Sequence, residues 1–148
     1  MELAGDRGRL GLRFRAWQHP GAPPPDDEWI AVEAELRAEP RSRFQARASV
    51  GVRAGELAAF RDAVADVLAR GAGTAELATL EDEVGAVLRL QRDGTAALDA
   101  FVEDVTSAGG ARLELDDVPT DARRLRETLR QLEAAVAAFP PPPRLHLA

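Results

Sequence analysis

Period-two alternation of apolar and polar residues dominates this chain. Its clearest instance runs from Glu81 to Val105, EDEVGAVLRLQRDGTAALDAFVEDV. Two alternating runs flank Arg92-Asp93-Gly94. If those three residues form the loop, with Gly94 left-handed, Gln91 pairs with Thr95. Leu90 then faces Ala96, Leu88 faces Leu98, Ala86 faces Ala100 and Val84 faces Val102, all on one wall. A two-residue Asp93-Gly94 turn would slip the register by one and set Asp99 opposite Leu88 on the core side, so the longer loop is expected. The other face of the hairpin then carries Val87, Arg89, Asp99, Phe101, Glu103 and Val105.

The same reading extends along the chain. Residues 10–17 alternate with Leu10, Leu12, Phe14 and Ala16 inward, and Arg13 and Arg15 outward. His19 to Asp27 is a proline loop. Ile30, Val32, Ala34 and Leu36 face inward in the next run. Phe44, Ala46, Ala48, Val50 and Val52 do so in the one after it. Pairing Leu36 with Phe44 sets Glu33 opposite Arg47. Residues 55–70 change period: Leu57, Phe60, Val64, Val67 and Leu68 fall at helical spacing, and Gly71 and Gly73 end the helix. Neither Arg53 nor Ala54 has a side-chain acceptor, so the N-cap is poor. A short strand over Thr74 to Leu80 has ambiguous facing, and Leu113 and Leu115 face inward from a later strand. The last helix starts at Thr120, its N-cap candidate, with Asp121 at the positive end of the dipole. Its stripe is Leu125, Leu129, Leu132, Val136 and Phe139. The order βββαββββα predicts an α+β two-layer sandwich, with a largely antiparallel sheet of six to seven strands and two amphipathic helices. Strands followed by a helix occur twice, a weak internal echo. One domain is expected over residues 1–139, with a proline-rich tail over 140–148.

Composition changes this picture in a few places. With no Cys in 148 residues, disulfides, thiolate zinc sites and cysteine nucleophiles are excluded. The opening residues hold no apolar run of signal-peptide length and no stretch reaches a bilayer span, so a cytoplasmic protein without membrane association is expected. All 19 basic residues are Arg, a bias that looks like a GC-rich bacterial genome. The net charge of −6 is uneven, because residues 54–119 hold five Arg against fourteen acids. An acidic middle repels phosphate backbones, which argues against nucleic acid, and it suits a basic protein partner.

Candidate chemistry is sparse. His19 lies in a loop and His146 in the tail, neither beside a nucleophile. Asp26-Asp27-Glu28 and Glu81-Asp82-Glu83 lack the spacing and turn glycine of a calcium loop. The glycine pairs at 71–73 and 109–110 do not open a helix after a strand, and no Lys follows them, so they are not phosphate cradles. Paired-carboxylate hydrolysis has no pair that stands out. Arg123, Arg124, Arg126 and Arg130 mostly lie opposite the last helix's apolar stripe and read as a solvated face. Trp17 and Trp29 disagree in parity with their own strands. They are either packed under the proline loop or anchors at an interface.

Asp27-Glu28-Trp29-Ile30-Ala31-Val32 leads a strand, and Leu36 to Phe44 follows as a hairpin. Gly55-Glu56-Leu57 opens a helix after the third strand, and a leucine helix closes on Phe139-Pro140. In these features, spread over residues 10–140, the chain resembles the WapI-type immunity proteins of bacterial polymorphic toxin systems. It departs from their pattern in having Phe60 where an aromatic, often Trp, is expected, and only Phe44 in the third strand. The resemblance implies binding of a cognate toxin, no catalysis and no cofactor. The expected contact surface is Glu81, Asp82, Glu83, Asp99, Phe101, Glu103 and Glu114, with the acids entering a basic cleft and Phe101 as the desolvated anchor. The alternative is a self-associating structural or regulatory domain that uses the same face for a homodimer.

Overall fold

The computed structural model describes residues 1–23, 26–38, 44–105 and 110–142. The expectations placed on His146 and on the end of the tail lie outside these residues. Among the described residues, eight strands form two separate four-stranded sheets. The first comprises β1 (Glu2–Ala4), β2 (Gly8–Trp17), β3 (Trp29–Ala38) and β4 (Phe44–Arg53). Helix α1 (Ala54–Arg70) follows without a loop. The second sheet comprises β5 (Gly73–Leu77), β6 (Val84–Leu90), β7 (Thr95–Asp104) and β8 (Ala111–Asp121), which runs straight into α2 (Ala122–Ala138). Both sheets are antiparallel meanders in chain order. Each thus gives four strands and then a 17-residue helix.

The α+β class and antiparallel pairing stand, but the expectation of one sheet of six to seven strands does not. Helix α1 packs against both β4 and β5, and β4 and β5 pair with different neighbours. The additional strand, β1, is three residues long with no alternation to reveal it. Its edge is closed by side chains from elsewhere in the sequence. Gln131 Oε1 accepts from the Glu2 N–H (2.7 Å), and the Thr128 and Thr120 hydroxyls donate to the Glu2 and Ala4 carbonyls (3.0 and 2.8 Å). An edge that would otherwise present free donors and acceptors is thereby closed.

The inward faces of both sheets and both helices feed one apolar cluster, in which Leu10, Ile30, Leu36, Phe60, Leu98 and Leu132 are among the fully buried side chains. Sheet meets sheet through β3 and β4 on one side and β7 and β8 on the other, and the helices pack against each other. The start of α1 lacks a side-chain acceptor at the cap, as expected, whereas the start of α2 differs from expectation. At α1 the N-cap Arg53 offers no acceptor, but Glu56 supplies one from within the helix: its carboxylate accepts the Arg53 N–H (2.9 Å) and also the Leu80 N–H (2.9 Å), tying the β5–β6 loop to the helix. At α2 the cap is Asp121, accepting from the Arg124 N–H at 2.8 Å, while Thr120 remains in β8.

Three further expectations are corrected. The β3–β4 register pairs Ala38 with Phe44 and Leu36 with Ala46, so Glu33 faces Ser49, and it is Glu35 that faces Arg47. The hairpin closes two residues tighter than expected. A shift of two preserves facing, but it carries Phe44 past the core, where it is 64% exposed. In β2 the pairing steps from Phe14–Val32 to Ala16–Ala31, leaving Arg15 as a bulge. The bulge turns Ala16 outward and Trp17 inward, which removes the parity conflict. Trp17 packs edge-on against Phe139 with centroids 5.3 Å apart. Trp29 points outward instead and lies over Gly51, where a Cβ would stand 3.0 Å from its ring.

Candidate functional site: the outer face of the second sheet

The β6–β7 hairpin carries the register expected from its alternation. Gln91 N–H donates to Thr95 O (2.8 Å), Gly94 N–H donates to Gln91 O (2.9 Å), and Gly94 is left-handed at φ 86°. Val84, Ala86, Leu88 and Leu90 pair with Val102, Ala100, Leu98 and Ala96, and all eight are buried. Asp99, Phe101 and Glu103 therefore face away from the core and are half-buried.

Registers across the sheet place side chains in rows. One row holds Glu76, Val87 and Asp99, with the Asp116-Asp117 bulge of β8 opposite Asp99; the next holds Gly85, Phe101 and Glu114. Phe101 sits opposite Gly85 and folds down onto it, so that a Cβ there would stand 2.8 Å from Cζ of the ring. The upper face of the ring is covered by Arg112, whose Cζ is 3.7 Å from the centroid. A cation over an aromatic face at an exposed site contributes about 0.5–1 kcal/mol. Arg112 is also held by Glu114 Oε1 (2.5 Å) and Glu103 Oε2 (3.2 Å), and lies 3.9 Å from Asp82. Beside this stack is a hollow of about 240 Å³ with Gly85, Val87 and Phe101 in its lining and Glu76, Asp82 and Asp116 on its rim.

The expected contact residues separate into groups. Asp82, Asp99, Phe101 and Glu114 line the hollow, and Glu103 reaches it through Arg112. Glu81 is exposed outside it. Glu83 turns to the other sheet, where its carboxylate accepts the Gly51 N–H (3.3 Å) of β4 and so links the two sheets. Asp99 is engaged internally: it pairs bidentately with Arg89 and accepts the Asp117 N–H (2.7 Å). The Arg89 hydrogen bonds hold its pKa below the ordinary aspartate value; partial burial opposes this, and the Asp117 N–H adds to it. The Asp99 carboxylate thus stabilises the β8 bulge, in which Asp117 takes a positive φ of 50°. Sequence reasoning missed Arg112, Gly85, Glu76 and Asp116. The first two were within reach, since the hairpin register already puts Gly85 opposite Phe101, and alternation about Glu114 puts Arg112 on the same face.

The first sheet's outer face is different. Glu33 bridges Arg13 and Arg15 (3.7 and 2.6 Å), and Glu35 holds Arg37 and Arg47 (2.5 and 3.0 Å). These are exposed pairs of the kind worth little individually, and they border a wider hollow of about 650 Å³ whose lining includes Leu12, Ala34 and Ala48 but no aromatic ring. On α2, Arg124 pairs with Asp6 and Arg130 with Glu127, while Arg123 and Arg126 are exposed. Among the described residues no three His, Cys, Asp or Glu side chains gather as a metal site, and no helix is long and apolar enough to cross a membrane.

Together these features define a small α+β protein whose second sheet carries an acid-rimmed, aromatic-floored outer face. Comparison of the sequence with known families places it further: over residues 2–140 it matches the Immunity protein WapI-like family, and the chain belongs to that family. Membership in an immunity family points to a non-catalytic protective role. Compared with the curated proteins, the sequence finds no match.

Proposed function

We propose that this protein binds a cognate toxin domain and neutralises it by contact through the outer face of β5–β8. The observation that carries this reading is the groove beside Phe101. It has an apolar floor kept open by Gly85, and Glu76, Asp82 and Asp116 stand on its rim. Such a surface combines a desolvated aromatic centre with a charged rim, the arrangement that concentrates binding energy at an interface. The sign of the rim selects a basic partner, and it speeds encounter with one. Self-association through the same face is disfavoured, because a twofold pairing would oppose these carboxylates to themselves.

The test is to identify a toxin domain that co-purifies with this protein and to measure protection of cells that express it. The double variant Glu76→Arg, Asp116→Arg changes two exposed carboxylates that make no ion pair among the described residues. Protection is expected to be lost with the melting temperature unchanged. Full protection by that variant rejects the surface.

A further inference from the structure

We infer that the groove is a guanidinium cage: in the complex it is filled by an arginine side chain of the partner, and in the free protein Arg112 occupies its place. The inference rests on the outer face of β5–β8 being the contact surface, and it adds the chemistry of the group recognised.

The arrangement around Arg112 shows what the cage selects. The Phe101 ring lies down over Gly85, which has no Cβ, so its other face points away from the sheet, and there Arg112 covers it. A guanidinium stacks on that face at 3.7 Å while carboxylates of Glu103 and Glu114 take its N–H groups. A planar, weakly hydrated cation with a fork of donors fits such a site, and a compact, strongly hydrated ammonium fits it less well. The hollow next to the stack is lined by Gly85, Val87 and Phe101, apolar surface suited to the aliphatic stem of an incoming arginine. Glu76 and Asp116, on the rim, make no ion pair among the described residues, so the site carries more negative charge than Arg112 satisfies.

Arg112 is held loosely enough to leave. Its side chain is 37% exposed, and its carboxylate partners Glu103 and Glu114 are 31% and 49% exposed. Exposed bridges of this kind are weak, and a departing Arg112 regains water. It therefore acts as an internal competitor: apparent affinity for an external guanidinium is reduced by the fraction of time the cage is open.

The experiment uses the full chain alone, titrated with methylguanidinium and followed by the amide NMR shifts of Gly85, Phe101 and Glu114. Arg112→Gln is expected to bind methylguanidinium about tenfold more tightly than wild type, as for a cage occupied by its own arginine nine-tenths of the time. Adding Phe101→Leu in the same background is expected to abolish the gain, and methylammonium is expected to bind several-fold more weakly. No gain in Arg112→Gln, or equal binding of the two cations, overturns the cage. Because no toxin is present, this result is independent of protection in cells. A cage that binds guanidinium without protection failing in Glu76→Arg, Asp116→Arg would separate the two conclusions.

Discussion

Phe101 and Gly85 stand directly opposite each other in the β6–β7 ladder, and the ring lies in the space a side chain at Gly85 would take. The glycine weakens its strand intrinsically, and the aromatic partner restores contact across the gap. Gly85→Ala should force the ring upright or push the strands apart, at a cost of about 1–3 kcal/mol, the usual range for overpacking. Urea denaturation measures the loss, and a variant as stable as wild type would show that the ring has room to move.

The Asp99–Arg89 pair gives stability a defined response to acid. Asp99 is held below the ordinary aspartate value in the folded protein, first by Arg89. The unfolded chain takes up this proton at about pH 4 and the folded chain only lower. The contribution is therefore complete above the ordinary value and is lost as pH falls through the folded one. Urea midpoints recorded from pH 5 to pH 2 should fall less steeply for Asp99→Asn than for wild type. Parallel slopes would remove Asp99 from the account.

Glu56 joins the start of α1 to the β5–β6 loop with one carboxylate. Its replacement by Ala leaves the Arg53 and Leu80 N–H groups without that acceptor and should cost about 1–2 kcal/mol. Exchange at the Leu80 amide should accelerate more than the global loss of stability explains. If Leu80 exchange tracks global unfolding alone, the tie is of no consequence.

Strand β1 depends on α2. Thr128→Val with Gln131→Ala removes the hydrogen bonds to Glu2 and should cost about 1 kcal/mol for each bond. The Leu12 amide, which donates to the Met1 carbonyl at 2.8 Å, reports the detachment. Hydrogen exchange there should rise selectively, with the Leu36 and Leu98 amides slowed as before once the global change is subtracted.

By itself the sequence determined whatever depends on neighbours in the chain. Alternation fixed which residues of β6 and β7 face inward, because a one-residue slip would bury Asp99. Gly94 fixed the loop, through its tolerance of a positive φ. The helical stripe of Leu125, Leu132 and Val136 was legible for the same reason, and most of the candidate face followed from the hairpin.

The tertiary structure decided what depends on groups far apart in sequence. Alternation is the same whichever strand lies alongside, so it did not reveal that the strands divide into two sheets. The Arg15 bulge, which sends Trp17 to Phe139, shows only in the pairing of β2 with β3. β1 holds its place through hydrogen bonds to residues more than a hundred positions away. The same limit applied at the site: facing placed Asp99, Phe101 and Glu103 outside. Only their packing showed that Arg89 takes Asp99, that Glu83 serves the other sheet, and that Arg112 covers Phe101. Charge in a sequence is a sum, whereas the charge a partner meets is what remains after the fold has paired its own.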